Sequence, residues 1–325
     1  MKAVVYRHTG PSSEVLEVVD MPTPEPGPGE VRVHVRYSGI NPTDWKSRSG
    51  ATSTGRPVED FQIPHQDGSG VVDAVGAGVD PNRVGQRVWL WLAAYGRKWG
   101  TAAEWTVVPE RQAVPLPEGT PFELGASLGV PAVTAHRCLF ADGDVDGRDV
   151  LVTGGAGAVG HFAIELAKHG GARVAATVSS TEKAELARDA GADVVVNYRD
   201  YDAQQQISAF STRLARVVDV NLAANLQLDL AVAAPDTVVV AYAADGPDPT
   251  LPVRACMGAN VVLRFMLLYT VPAAAIDAAV AGVTEALEAH ALSELPIHRF
   301  PLEECAAAQD AVQHGVVGKV LLEVR

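Results

Sequence analysis

Apolar and polar positions change rhythm along the chain, and each change predicts a different kind of structure. As far as Phe122 the apolar residues come in short runs broken by glycine and proline, the texture of strands and turns. Lys2–Tyr6 is one such run. Val31, Val33, Val35 and Tyr37 alternate with polar neighbours, which places them on one face of a half-buried strand. Between these runs, Pro22-Thr23-Pro24-Glu25-Pro26-Gly27-Pro28-Gly29 suits neither a ladder nor a helix and predicts a surface connection. Gly70–Val75, Arg87–Leu92 and Ala103–Val108 predict further strands.

Beyond Phe122, strand-sized apolar runs alternate with helical stretches. Asp149–Thr153, Arg173–Thr177, Asp193–Val196, Val217–Val220 and Thr237–Ala241 read as strands, with helices at Val159–His169 and Glu182–Ala190 between them. This alternation predicts a parallel, doubly wound sheet covered by helices, an α/β domain over residues 123–264. The tail holds an Ala-rich helix at Pro272–Ala289 and strand-like runs at Ile297–Pro301 and Val320–Val324. About 60 residues make a marginal core on their own. Residues 265–325 are therefore assigned with 1–122 to one β-rich domain, with Lys319–Val324 completing its sheet.

The strongest local signal is Val150-Leu151-Val152-Thr153-Gly154-Gly155-Ala156-Gly157-Ala158-Val159-Gly160, a strand running through glycines into a helix. Its GxxGxxG spacing is a variant of the dinucleotide fingerprint of Rossmann domains. Gly154 suits the sharp turn, Gly157 and Ala158 the close approach of a pyrophosphate, and Gly160 the helix–strand contact. The helix N-terminus then faces the anion. The second strand ends in Thr177-Val178-Ser179-Ser180-Thr181-Glu182-Lys183, where an acid would be needed to hold the ribose 2′-hydroxyl of NAD. Hydroxyls and Lys183 stand there instead, and Tyr198 with Arg199 offers a second donor pair. A charge-assisted contact to a 2′-phosphate is worth ~1.5–3 kcal/mol, roughly a 10- to 100-fold preference. The predicted cofactor is NADPH. The plainer alternative for Lys183 is a solvated helix lysine, and Glu182 counts mildly against the phosphate.

Composition narrows the partners. A net charge of −13 argues against general binding to nucleic acid. Three cysteines, Cys138, Cys256 and Cys305, form no CxxC pair and suit a reducing compartment as incidental thiols. Met1–His8 lacks the ~7–15-residue apolar stretch of a signal peptide, and the apolar windows fall far short of the ~20 residues of a spanning helix. The expectation is a cytoplasmic protein with no membrane association.

Several further segments carry a resemblance. Ser38-Gly39-Ile40-Asn41-Pro42-Thr43-Asp44, Gln66-Asp67-Gly68-Ser69-Gly70-Val71-Val72, Val84-Gly85-Gln86-Arg87-Val88, Gly100-Thr101-Ala102-Ala103-Glu104-Trp105, Ala126-Ser127-Leu128-Gly129-Val130-Pro131 and Gly318-Lys319-Val320 join the glycine loop. With them, nearly the whole chain resembles the medium-chain dehydrogenase/reductase superfamily. Within it, the chain is most similar to the zinc-free quinone oxidoreductase, or zeta-crystallin-like, branch. The resemblance implies a Rossmann cofactor domain beside a GroES-like catalytic domain.

Zinc alcohol dehydrogenases of this superfamily carry a cysteine where this chain has Asn41, and a His-Glu pair where it has Gln66-Asp67. Their four-cysteine lobe has no counterpart. Catalytic zinc needs three protein ligands, and His65, one residue early, has no cysteine partner nearby. It is read as a partly buried histidine at a strand entry, and no metal is expected. Alcohol oxidation then lacks an activating Lewis acid, whereas reduction of an electrophilic acceptor remains feasible by positioning and hydrogen bonding.

The resemblance places Asn41 beside nicotinamide and substrate, its amide donating to the acceptor oxygen, although a structural Asn in a Pro-containing turn fits the same residue. Lys46 replaces a tyrosine that relatives carry beside the cofactor, and Thr134 is a candidate for orienting the nicotinamide. Ala156, Gly157, Ala158, Val159, Ser179, Ser180, Lys183, Tyr198, Asn225, Tyr242, Ala243, Met266, Leu267, Leu268 and Lys319 are expected at the cofactor. Trp91, Tyr95 and Trp99 read either as an aromatic wall for a planar substrate or as core aromatics. The expected activity is metal-free, NADPH-dependent reduction of a quinone or α,β-unsaturated carbonyl compound. Two alternatives share these residues. One is an enoyl thioester reductase acting on an acyl-CoA or carrier-bound chain, with Tyr95 as a conceivable proton donor. The other is a non-catalytic NADPH- or RNA-binding protein. A homodimer is expected through the cofactor domain, with Val261–Leu268 as its apolar edge strand.

Overall fold

The computed structural model describes residues 1–53 and 55–324. Strand β1 (Lys2–Val5) pairs antiparallel with β2 (Glu17–Asp20), with the one-turn helix α1 (Ser12–Val15) between them. There follow β3 (Glu30–Gly39), α2 (Pro42–Ser49), β4 (Asp67–Val75), β5 (Arg87–Leu90), β6 (Trp105–Pro109), β7 (Ala113–Pro115) and the long helix α3 (Phe122–Phe140). The next stretch holds β8 (Asp149–Val152), α4 (Ala158–His169), β9 (Arg173–Val178), α5 (Thr181–Asp189), β10 (Val194–Asn197) and α6 (Ala203–Phe210). It continues through β11 (Leu214–Asp219), α7 (Leu222–Val232), β12 (Val238–Ala241), α8 (Val253–Ala259), β13 (Val262–Phe265) and α9 (Ala273–Glu288). β14 (Ile297–Pro301), α10 (Cys305–Gln313) and β15 (Lys319–Glu323) close the chain.

These elements form two compact units, Met1–Val130 with Pro296–Arg325, and Pro131–Leu295. The division differs from the one the sequence suggests, 123–264 against the rest. Residues 265–295 belong with the parallel sheet, because β13 pairs with β12 out to Phe265 and α9 packs on α4. Within α3 the division falls at Pro131, whose missing N–H interrupts the helical hydrogen-bond ladder.

In the first unit the sheet order is β14-β15-β3-β4-β5-β7, with β6 also paired to β3. β15 joins β3 antiparallel, so the C-terminal strand does complete this sheet. Val31, Val33 and Val35 are fully buried, as their alternation requires. Tyr37 is only half-buried, because the pairing with β4 slips between Val35 and Tyr37. A core of Ala3, Val5, Val35, Ile63, Leu302, Val320 and Leu322 fills the space between the sheet and the N-terminal hairpin.

In the second unit six parallel strands run in the order β10-β9-β8-β11-β12-β13. Counted from β8, that is 3-2-1-4-5-6, the order of dinucleotide-binding domains. Val150, Leu151 and Val152 of β8 are fully buried, which fits a central strand covered on both faces. No helix among the described residues is long and apolar enough to cross a membrane.

Candidate functional site

In the second unit the strand order reverses between β8 and β11, and ligands of such sheets bind beyond the carboxyl ends at that point. The glycine loop leaves β8 there. Gly154 turns with φ +69, a conformation side chains resist. A Cβ on Gly160 would meet the Gly154 carbonyl oxygen at 2.3 Å, so the first turn of α4 folds directly over the loop. The helix–strand contact expected of Gly160 belongs instead to Gly155, where a Cβ would lie 2.8 Å from Ala176 Cβ of β9 and 3.1 Å from Ile164 Cδ1 of α4. Gly157 is the residue that opens the site. A Cβ there would touch only the Gly154 oxygen, at 3.4 Å, and α4 has no side-chain cap. Its first N–H groups and positive dipole end are therefore available to a diphosphate.

The remaining predicted contacts of this unit follow the carboxyl ends of neighbouring parallel strands. Ser179 and Ser180 follow β9, Tyr198 follows β10, Tyr242 and Ala243 follow β12, and Met266, Leu267 and Leu268 follow β13. Beyond β9 and β10 the hydroxyls and cations meet. Lys183 Nζ donates to Ser179 Oγ at 3.2 Å, and Arg199 Nη1 donates to the Ser179 carbonyl at 3.1 Å. The Arg199 guanidinium also lies 5.7 Å from the centre of the Tyr198 ring. Ser180 serves as the N-cap of α5, its Oγ accepting from Lys183 N. Tyr198 is half-exposed.

Asn225, expected at the cofactor, is tied to the sheet. Its Nδ2 donates to Asp219 Oδ1 at 2.6 Å, and Thr153 Oγ1 donates to the same oxygen at 2.9 Å. Asp219 thus bridges the two strands at the reversal point. Burial pushes its carboxyl upward, opposed by these hydrogen bonds. The sequence reading passed over Asp219. Its signal was an acid ending an otherwise apolar strand. Thr134 is buried within α3.

The first unit holds a second polar cluster, at the start of α2. Asn41 precedes Pro42, and its backbone N–H donates to Asp44 Oδ2 at 2.7 Å, half of a capping box. The Asn-Pro-x-Asp spacing carried that signal, and α2 could have been predicted from it. The Asn41 side chain is buried and committed at both ends. Nδ2 donates to Asp67 Oδ2 at 2.6 Å, and Oδ1 accepts from Lys319 Nζ at 2.8 Å. The Asn41 amide, expected to donate to an acceptor oxygen, donates here to Asp67 inside its own unit, and Lys319, expected at the cofactor, is a buried partner of Asn41. Asn41 is also the N-cap residue ahead of Pro42.

Asp67 is fully buried. Besides Asn41, its Oδ1 accepts from Val130 N at 2.8 Å, where the ladder of α3 is interrupted ahead of Pro131. A Cβ on Gly129 would lie 2.2 Å from that oxygen, so only glycine lets the carboxylate reach the helix backbone. Burial raises the Asp67 pKa to about 6 against the pull of Lys319 and Asn41, while burial lowers that of Lys319. Lys319 Nζ stands 3.8 Å from Asp67 Oδ2.

His65, read as partly buried, is wholly buried. Its Nδ1 is 2.9 Å from Ser38 Oγ and its Nε2 is 3.1 Å from Gln309 Nε2, which leaves neither ring nitrogen free. Burial lowers its pKa to about 3, with Lys319 adding to the effect. Among the described residues no three His, Cys, Asp or Glu side chains are placed to hold a metal. The Lys319 ammonium already takes the Asn41 oxygen and stands 3.8 Å from the Asp67 carboxylate, so this donor set does not fit zinc. Lys46 is half-buried on α2, its Nζ 5.7 Å from the Trp45 ring. Trp91 is buried, with Nε1 donating to the Arg111 carbonyl, and Trp99 packs edge-on against Phe61. Trp91 is thus a core aromatic, while Trp99 and Tyr95 are half-buried.

Comparison with known proteins agrees with this architecture. The family model "Alcohol dehydrogenase GroES-like domain" matches residues 27–118, and "Zinc-binding dehydrogenase" matches residues 158–284. A chloroplastic quinone-oxidoreductase homolog of Spinacia oleracea is 32% identical over 206 residues, 61% of this chain and 61% of that protein. The chain thus matches about three-fifths of that relative's length. The quinone oxidoreductase of Homo sapiens is 28% identical over 329 residues, covering 99% of this chain and 97% of that one. Among solved structures, an NAD-dependent alcohol dehydrogenase superposes with a TM-score of 0.89 at 30% identity, covering 100% of both chains. A mycobacterial protein complexed with NADPH gives a TM-score of 0.84 at 30% identity, covering 99% of both. From its two-unit architecture, its glycine loop and these relatives, the chain belongs to the quinone oxidoreductase branch of the medium-chain dehydrogenase/reductase superfamily, and is an oxidoreductase that uses a nicotinamide cofactor.

Proposed function

We propose that the protein is an NADPH-dependent reductase of quinones or α,β-unsaturated carbonyl compounds that works without a metal. The observation that carries the cofactor choice is the group beyond β9 and β10. Lys183 and Arg199 both donate to Ser179 there, Arg199 lies by the Tyr198 ring, and no carboxylate ends β9. Two cations and two hydroxyls offer a 2′-phosphate charge-assisted bonds, and the 2′-hydroxyl of NADH gives them much less to hold. The diphosphate rests on the Gly157 opening and the first turn of α4. Bound in this way, the nicotinamide supplies a hydride.

The acceptor class rests on the first unit's chemistry. Asn41 and Asp67 are bonded to each other, and the Lys319 ammonium stands against both, so this side-chain set does not suit a Lewis acid that would activate an alcohol. An acceptor that is already electrophilic needs only positioning and polar contacts. A quinone takes up the hydride and one proton to become a hydroquinone. An enone takes up the same pair across its conjugated double bond.

The reading includes a homodimer through β13. This strand ends the parallel sheet with one edge unpaired among the described residues, and Val262 and Phe265 on it and Leu267 just beyond it are exposed, with Met257 of α8 nearby in the chain. Unpaired apolar edges invite another strand. Steady-state oxidation of NADPH and of NADH, each with a naphthoquinone, an alkyl enone and an enoyl-CoA in the presence of chelator, tests the proposed activity. Chelator-resistant turnover of the quinone or enone with NADPH is expected. Turnover of the enoyl-CoA alone would replace the acceptor class, and NADPH binding without turnover would replace the activity.

A further inference from the structure

A cavity of about the size of one water lies inside the first unit, lined by Tyr6, Asp44, Ser47, Gln62, Pro64, His65, Gln66 and Ala94. Three of these side chains bring an oxygen that the described residues leave without a donor: Asp44 Oδ1, Gln62 Oε1 and Gln66 Oε1. All three residues are at least nine-tenths buried, with exposures of 3%, 0% and 3%. The orientation of Gln62 is fixed, since its Nε2 donates to the Ile63 and Arg97 carbonyls at 2.8 and 2.9 Å and its oxygen must point the other way. The second Asp44 oxygen is likewise fixed by the Asn41 N–H. A buried acceptor without a donor costs about 1–3 kcal/mol. Three around one cavity, one of them a carboxylate facing two amide dipoles, form an arrangement that protein groups alone do not satisfy.

We propose that this cavity is a binding site for a single water molecule, held by Asp44, Gln62, Gln66 and Tyr6, and that Asp44 carries a proton on Oδ1. The valences then close. The water donates to Gln62 Oε1 and Gln66 Oε1, and accepts from the Asp44 hydroxyl and the Tyr6 hydroxyl. With Asp44 ionised, the carboxylate would need the water's donors too, and one amide oxygen would be left without any. The surroundings favour the neutral acid. Burial raises Asp44 to about 8, opposed first by the Asn41 N–H, supported by the nearby Asp67 charge, and opposed further by Lys319 and the Gln66 N–H. Tyr6, which feels the charges of Asp44, Arg48 and Arg56, is pushed upward by burial and remains a hydroxyl. His65, held neutral, and Cys305, whose thiol is pushed upward, complete the ionisable groups around Asp44. The site thus keeps a stored proton in the first unit, on the N3 residue of α2 whose other oxygen accepts from the Asn41 N–H.

A monovalent cation could also bind three acceptor oxygens, so the test separates the two. Crystals of the full chain are examined by X-ray diffraction before and after a thallium(I) soak, and by neutron diffraction. The expected result is one peak within hydrogen-bond reach of the three oxygens, no thallium signal on it, and a deuteron on Asp44 Oδ1 near neutral pH. A thallium peak, an absent peak, or a bare Asp44 Oδ1 would each overturn the proposal. Asp44→Asn, isosteric with the neutral acid, provides a second reading in solution. It should retain the water and abolish one protonated-carboxyl band in the infrared spectrum near pH 7. A spectrum without that loss would contradict the stored proton.

Discussion

Lys319 Nζ donates to Asn41 Oδ1 at 2.8 Å inside the β-rich unit, at the join between the last strand and the start of α2. This one contact ties residues 278 positions apart and fixes which way the Asn41 amide faces. It also places a positive charge 3.8 Å from the buried Asp67 carboxylate. Removing the ammonium leaves that carboxylate with hydrogen bonds but no counter-charge. Lys319→Met is expected to destabilise the protein by about 3 kcal/mol, in the range for breaking a buried pair, read as a lowered denaturation midpoint in urea. Lys319→Met with Asp67→Asn should recover part of the loss. A double variant no better than the single one would show that the two charges do not interact.

The contact group beyond β9 and β10 makes a specific prediction for cofactor choice. Lys183→Ala and Arg199→Ala should each raise the KM for NADPH by roughly 10-fold, the equivalent of one charge-assisted hydrogen bond, and leave the KM for NADH near its starting value. Equal losses for both cofactors would place these cations elsewhere than at the 2′-phosphate.

Two glycines of the loop should separate folding from binding. Gly160→Ala forces a methyl to within 2.3 Å of the Gly154 carbonyl oxygen, a backbone atom with little freedom to move, so expression or thermal stability should fall. Gly157→Ala meets nothing closer than 3.4 Å and should fold normally. Its methyl projects where a pyrophosphate must approach, so NADPH affinity should drop in calorimetry while the melting temperature holds. Unchanged affinity would move the diphosphate away from α4.

Much of this was legible in sequence. The period-two run at Val31–Val35 and the alternation from Asp149 to Ala241 carry the two architectures, and the GxxGxxG spacing locates the cofactor loop. Several details were not legible, because they depend on contacts between distant positions. Gly155 and Gly160 look alike in sequence, and only the approach of β9 distinguishes their tasks. Asn41 and Lys319 are both singled out in sequence by the resemblance, but their contact with each other needs β15 to pair with β3. Asp67 lies ahead of the strand predicted from Gly70, and the Val130 N–H that gives it a partner lies 63 positions away. The apolar run at Val261–Leu268 marks β13 in sequence, but the packing of α9 on α4, which keeps residues 265–295 with the parallel sheet, does not show there.

Buried acids and histidines set opposite slopes for stability against pH. Asp229 of α7 is fully buried, with neither oxygen partnered among the described residues, and burial beside Asp219 raises its pKa to about 8. Unfolded, it titrates near 4. The folded state therefore holds the extra proton between about pH 4 and 8, and stability declines as pH rises through that window, by up to about 1.4 kcal/mol per unit. Asp229→Asn should flatten the fall in melting temperature between pH 6 and 9. His65 works the other way, its folded pKa near 3 lying below the unfolded value near 6.5. Its share of the stability is complete above about pH 6.5 and is lost as pH falls toward 3. An Asp229→Asn protein with the wild-type pH profile would contradict the first assignment.

The edge of β13 predicts assembly. Phe265→Lys places a charge on an exposed apolar strand, where it should cost little in folding and disrupt pairing between copies. Sedimentation of the wild type is expected to give a dimer, and of the variant a monomer with native circular dichroism. A monomeric wild type would remove β13 as an interface.

The most direct test of the central claim is the ratio of kcat/KM for NADPH to that for NADH, measured with a naphthoquinone in the presence of chelator. Quinone turnover that chelator does not affect is expected, with NADPH preferred by roughly 10- to 100-fold. Preference for NADH, or activity lost with chelator and restored by zinc, would contradict it.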